Sequence, residues 1–147
     1  MTVLPLSIQE SVAHNGANYK VTINYDDFSA AGTTETIVAL ADADGNNLPA
    51  GTKVRLMQAE TTTTFAGTSL SALVVDVGDG GDVDRLGDVC NVLTAGFALG
   101  TTITDNDHLY ASADTVDAAF TSTGCNLDSL TAGSLDLYFR VTLPTPV

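Results

Sequence analysis

Residues 73–85 read Leu-Val-Val-Asp-Val-Gly-Asp-Gly-Gly-Asp-Val-Asp-Arg, an apolar run that meets a glycine-rich acidic loop. Asp76, Asp79, Asp82 and Asp84 fall within it, beside Gly78, Gly80 and Gly81. Calcium takes several oxygens at about 2.3–2.6 Å, mostly carboxylates and carbonyls from one flexible loop. Asp79, Asp82 and Asp84, with the backbone carbonyls of Gly80 and Val83, offer such a set. The spacing is not that of the helix–loop–helix calcium site, which closes on a Glu. The tandem copies of a β-helix calcium repeat are missing too. The competing reading is a structural turn built on Gly78, Gly80 and Gly81. In it the Asp side chains accept from nearby backbone N–H groups, and Arg85 pairs with one carboxylate. The turn is the preferred reading and no cofactor is expected; calcium at Asp79, Asp82 and Asp84 is kept as the minority alternative.

A second acidic loop, Asp42-Ala-Asp-Gly-Asn-Asn47, begins like a calcium loop. Its closing Glu is missing, and Lys53 and Arg55 come next instead. An Asx-rich connection between strands explains it better. Catalysis has little to draw on. The chain has two histidines, His14 near the N-terminus and His108 in Asp105-Asn-Asp-His108. The latter reads as a solvated loop residue, and no Gly-x-Ser-x-Gly elbow supports a Ser–His–Asp arrangement. Trp is absent, which argues against an aromatic sugar platform. The loop at 78–81 carries acid where a nucleotide phosphate needs Lys. No catalytic residue is expected, and the chain is read as non-enzymatic.

The elements that hold these loops are strands. Tyr19, Val21, Ile23 and Tyr25 alternate with Lys20, Thr22 and Asn24; Leu135, Leu137, Phe139 and Val141 alternate with Asp136, Tyr138, Arg140 and Thr142. That period of two marks strands with one wet face. Further strands are predicted over 36–40, 53–59, 70–77, 97–104 and 116–121. Turn residues separate them at 29–34, 42–51 and 131–134. Leu86, Val89, Cys90 and Leu93 follow helical spacing, so a short helix is predicted over 85–93. Asp114 is placed to cap a single turn over 115–118. The predicted fold is all-β: an antiparallel β-sandwich, jelly-roll-like, of seven to eight strands with at most one or two short helices.

At 147 residues the chain suits one domain with a real core. The division expected is an N-terminal arm over 1–18, a sandwich over 19–143 and a tail over 144–147. Val3, Leu4, Leu6 and Ile8 make the arm a candidate partner-binding segment. Lys+Arg number 5 against 18 Asp+Glu, a net charge of −13. Such a surface repels phosphate backbones, so no nucleic acid partner is expected. No apolar run approaches the ~20 residues of a membrane-spanning helix, and no signal-peptide pattern opens the sequence. A soluble product made in the cytoplasm is the expectation. Cys90 and Cys125 read as small unpaired thiols in the interior.

Residues 66–141 resemble a family of small virion proteins from tailed bacteriophages. The resemblance rests on Gly67-Thr-Ser-Leu-Ser-Ala-Leu-Val-Val, Val77-Gly-Asp-Gly-Gly-Asp-Val-Asp-Arg85, Tyr110-Ala-Ser-Ala-Asp-Thr-Val-Asp-Ala-Ala-Phe-Thr121 and Leu130-Thr-Ala-Gly-Ser-Leu-Asp-Leu-Tyr-Phe-Arg-Val141, in that order. Such chains are similar to capsid decoration (cement) proteins and other head-associated structural proteins. The resemblance implies a β-sandwich on the outer surface of the phage head. It implies the major capsid protein as partner, and often a homotrimer that bridges capsomers. Residues 1–65 carry no motif of that family. The rival readings are a tail or receptor-binding component and a calcium-dependent glycan-binding module, both motivated by the acidic loops.

Overall fold

The computed structural model describes residues 1–42, 44–98, 102–103 and 107–145. Two antiparallel sheets face each other. One runs in the order β1 (Thr2–Pro5), β2 (Tyr19–Asn24), β11 (Leu130–Thr142), β4 (Lys53–Gly67) and β7 (Gly96–Ala98). The short β9 (His108–Leu109) also pairs with β4, at Lys53 and Val54. The other sheet runs β3 (Thr34–Leu40), β10 (Val116–Thr123), β5 (Ala72–Asp79), β6 (Asp82–Asn91) and β8 (Thr102–Ile103).

Alternation drives the sheets together. Val21 and Ile23 of β2 and Leu135, Leu137 and Phe139 of β11 are fully buried, while Lys20, Thr22 and Arg140 stay partly wet. From the opposite sheet come Leu73, Val75 and Val77 of β5 and Val116, Ala118 and Phe120 of β10. Removing such side chains from water contributes roughly 1.5–3 kcal/mol each. Phe28 fastens the layers: its ring meets Phe120 edge-on at 4.8 Å and Phe65 at 6.4 Å. Cys90 and Cys125 are buried free thiols. No helix among the described residues is long and apolar enough to cross a membrane.

The all-β sandwich is the one the alternation predicts. It carries eleven strands among the described residues rather than seven or eight. The unpredicted strands are β6 and the short β1 and β9, which are too short to show a period; the strand expected over 97–104 holds two short strands, β7 and β8. β4 continues past residue 59 through Thr61, Thr62, Thr63 and Thr64, whose β-branched side chains suit a pleated sheet. Of the strand expected over 97–104, residues 99–101 and 104 lie outside the described residues.

Three local expectations are corrected. The helix predicted over 85–93 is part of strand β6. The ladder passes from Val75–Cys90 to Val77–Gly87 through a register shift. That bulge breaks the period of two and imitates helical spacing. The turn predicted after Asp114 is absent: Asp114 bridges Leu48, and Val116 already opens β10. Residues 131–134 are not a separate turn but lie inside β11, between register shifts on either side of Ala132.

Gly133 makes that irregular start of β11 possible. Its φ is +138°, and a Cβ there would stand 2.0 Å from the Phe65 ring. Gly133→Ala is expected to lower stability by about 3 kcal/mol, from backbone strain and overpacking together. Urea denaturation measures it; a loss below about 1 kcal/mol would mean that the ring moves aside freely.

The first eighteen residues run along the first sheet. β1 pairs with β2 in register, Val3 opposite Val21. Helix α1 (Ile8–Ala13) follows, opened by Ser7 in a reciprocal cap with Glu10. The Ser7 Oγ accepts from the Glu10 N–H at 3.3 Å, and the Glu10 carboxylate accepts from the Ser7 N–H at 3.0 Å. The Glu10 carboxylate also accepts from the Ser7 hydroxyl at 2.7 Å, and the two bonds it accepts from Ser7 hold it below its ordinary pKa. His14 ends the helix and stacks flat on Tyr138, 3.8 Å away.

Candidate functional site

The β5–β6 hairpin carries the acidic loop. Gly80 and Gly81 reverse the chain so that Asp79 faces Asp82 across the ladder. Asp79 is turned inward and only 4% exposed. Its Oδ1 accepts from the backbone N–H groups of Gly81 at 2.9 Å and Asp82 at 3.0 Å. Its Oδ2 lies 2.6 Å from Arg85 Nε and 3.8 Å from His108 Nε2. Both oxygens are thus held by donors of the protein itself. The guanidinium also reaches Asp82, at 3.9 Å.

Asp82 and Asp84 are more exposed than Asp79, and their carboxyl groups hydrogen-bond to each other. That contact holds Asp82 below the ordinary carboxylate range, helped by the charge of Arg85. It holds Asp84 above the range, helped by the charges of Asp82 and Asp88. Among the described residues no group of three or more His, Cys, Asp or Glu side chains is placed to hold a metal ion.

Of the three loop glycines, Gly78 meets the tightest constraint. A Cβ on it would stand 2.0 Å from the Asp82 carbonyl oxygen and 2.5 Å from the Val83 carbonyl carbon. The two backbones approach too closely there for any side chain. At Gly80 and Gly81 the nearest atoms would be 3.5 and 3.4 Å away, close to ordinary contact.

Behind the hairpin, His108 meets the Tyr110 ring edge-on at 5.1 Å. The Tyr110 hydroxyl donates to the Thr115 carbonyl at 3.3 Å. Burial, then the charges of Asp79, Asp114 and Asp117, push its pKa well above the ordinary phenol value. Tyr110 thus remains a protonated donor, unsuited to act as a base near neutral pH. Asp105, the other acidic neighbour of His108 in sequence, lies outside the described residues. In the second acidic loop the Asp42 Oδ1 accepts from the N–H groups of Asp44 and Asn46 at 3.0 and 2.7 Å. That is the local Asx closure its composition predicts.

His14 sits elsewhere, on the outer face of the first sheet. Beneath it Asp136 is only 6% exposed, and accepts from Thr22 Oγ1 at 2.6 Å and Lys20 Nζ at 3.3 Å. The Tyr138 hydroxyl donates to Glu60 at 3.4 Å. Burial first, and then the Asp136 and Glu60 charges, push its pKa up as well. This polar layer ties α1 to the sheet. The two histidines serve separate structural clusters.

Of the arm residues singled out from sequence, Val3, Leu4 and Ile8 are exposed at 41%, 49% and 84%. Leu6 is half-buried, with its N–H on the Asn18 carbonyl. Val12, an apolar arm residue left out of that set, joins Ile8 at i, i+4 on the wet side of α1 and is 77% exposed. The signal that could have found it is Ser7-Ile-Gln-Glu10, a helix-opening capping box. Phe97 on β7, 64% exposed, carries no comparable signal.

No protein-family model matches the chain, and no curated protein matches it. A chain of the solved cyanophage Pam1 capsid asymmetric unit is similar in fold, with a TM-score of 0.53 at 17% sequence identity. The match covers 85% of this chain and 82% of that one.

Proposed function

We propose that this chain is a non-enzymatic virion structural protein: a capsid decoration (cement) protein that binds the outer surface of a phage head. It would stabilise contacts between major capsid protein subunits. The observation that carries the reading is the likeness over 85% of the chain to a component of a phage capsid assembly. The sequence resemblance of residues 66–141 points the same way. The physical properties suit the task. A cement protein adds contacts across neighbouring shell subunits, so it needs exposed apolar side chains and strand edges more than a cleft. Ile8 and Val12 on α1, with Leu4 beside them in β1, offer such side chains on a well-anchored segment. A homotrimer would place three of these segments around a three-fold axis of the shell.

The test is reconstitution. Purified protein added to heads that lack it is expected to rebind and to raise the temperature at which they release DNA. Ile8→Asp combined with Val12→Asp is expected to weaken that binding by tenfold or more, equivalent to about 1.4 kcal/mol. Circular dichroism should stay unchanged, because both side chains are exposed. No affinity for heads, with binding to tails instead, would refute the proposal and favour a tail component. A glycan-binding module would declare itself by binding that a chelator abolishes; the inward, fully engaged Asp79 lends that alternative little support.

A further inference from the structure

The sandwich is open along one side. There β1 ends one sheet and β3 ends the other, and neither has a second strand neighbour among the described residues. A groove of about 880 Å³ lies between these edges, lined by Met1, Val3, Tyr19, Val38 and Leu143 among others. Val3, Val38 and Leu143 stand 41%, 46% and 55% exposed along it. We propose that this groove takes an extended segment of a partner protein, apolar at alternate positions and flanked by Lys or Arg, which adds as a strand to the free edge of β3.

Three observations select this occupant. The first is the edge. β3 offers seven residues, Thr-Glu-Thr-Ile-Val-Ala-Leu, or roughly 23 Å of unpaired backbone at ~3.3 Å per residue. Free edges are normally blunted by Lys, Pro or brevity. β1 has two of these devices, since it is four residues long and ends at Pro5. β3 has no Lys or Pro and is of ordinary length; its one charge, Glu35, is turned back onto the Ser29 and Ala30 N–H groups, and a register shift against β10 falls at Ala39. An added strand would bond to β3 by its backbone and point every second side chain into the groove.

The second observation is charge. On a chain of net charge −13, Asp42 lines the groove and none of the five Lys and Arg residues does. Met1 lines it too, but its ammonium is already paired with Asp27. Basic flanks are attracted there. A second copy would bring another −13 against a chain that already carries −13. The third is the nearest internal competitor. Leu143 reaches the groove, but Pro144 and Pro146 follow it, and proline has no N–H to give to a strand ladder. The proposal is independent of where on a particle the partner sits, and it survives if the decoration reading fails.

The test uses isotope-labelled protein and the peptide Lys-Lys-Thr-Val-Thr-Val-Thr-Val-Lys-Lys, followed by amide NMR shifts. Shifts are expected to concentrate in residues 34–40 and 1–3, with half-saturation below about 1 mM. The same core flanked by Glu, and the Val38→Asp protein, should each bind about tenfold more weakly or worse. Val38 is exposed enough for the substitution to spare the fold, and the peptide pair tests the charge argument on unchanged protein. No shifts in these strands up to a few mM, or equal binding of the Glu-flanked peptide, would overturn the proposal. So would a dimer in sedimentation that Val38→Asp dissociates, because that result gives the groove to a second copy.

Discussion

Arg85→Ala is expected to destabilise the fold by about 2–3 kcal/mol, while a calcium chelator leaves the melting temperature unchanged. Asp79 is 4% exposed and has Arg85 Nε at 2.6 Å. Truncating Arg85 leaves a carboxylate in the interior with two backbone donors and His108 at 3.8 Å. A fully enclosed pair broken in this way costs about 3–5 kcal/mol. The Arg85 side chain is 32% exposed, so water and counterions take up part of that penalty. At this chain length the loss corresponds to a melting temperature lower by roughly 5–10 °C. Arg85→Lys should recover only part of it, since an ammonium cannot reproduce the directed guanidinium contact. Asp79→Ala combined with Arg85→Ala should cost less than the two single changes added together. A chelator that lowers the melting temperature more than Arg85→Ala does would return the loop to calcium.

Gly78→Ala is expected to cost about 3 kcal/mol or more, because the new methyl group meets backbone rather than a side chain that could turn away. The obstacles are the Asp82 carbonyl oxygen and the Val83 carbonyl carbon, at 2.0 and 2.5 Å from a Cβ at this position. Accommodating the methyl group means parting β5 from β6, and the hairpin that orients Asp79 would loosen with it. Gly80→Ala is the control. Its Cβ would lie 3.5 Å from the Asp114 carboxylate, so a change within about 1 kcal/mol is expected. Urea denaturation of the two variants side by side makes the comparison. Equal effects would mean that the strands separate easily at Gly78 and that the glycine there reflects turn formation alone.

The sequence showed the sandwich because its longest core strands alternate cleanly. β2 and β11 keep a strict period of two, and the burial of Val21, Ile23, Leu135, Leu137 and Phe139 follows it. Where a bulge intervenes the period is lost, and β6 was legible only as helical spacing. The pairing of Arg85 with a carboxylate could be anticipated from their closeness in the chain. Which Asp it would choose could not, since that depends on the hairpin register that buries Asp79 and leaves Asp82 and Asp84 more exposed. His108 joins the same cluster from residues 108–109, about thirty positions along the chain, through a pairing with β4 too short to leave a pattern. The groove between β1 and β3 was not legible at all. It exists because the last strands of two different sheets end on the same side, a fact of topology rather than of local composition.

The fold and the surface meet in one functional idea. A rigid sandwich holds a capped helix with Ile8 and Val12 on its wet side, and an unguarded strand edge above an apolar groove. Both are proposed as contact surfaces, while Asp79 and Asp136 are engaged by neighbouring donors within the fold. Electron microscopy of phage particles produced together with this chain tests the idea most directly. The account predicts density of this shape on the outer surface of the head, at positions that bridge capsid subunits. Density confined to the tail, or particles without the chain, would contradict it.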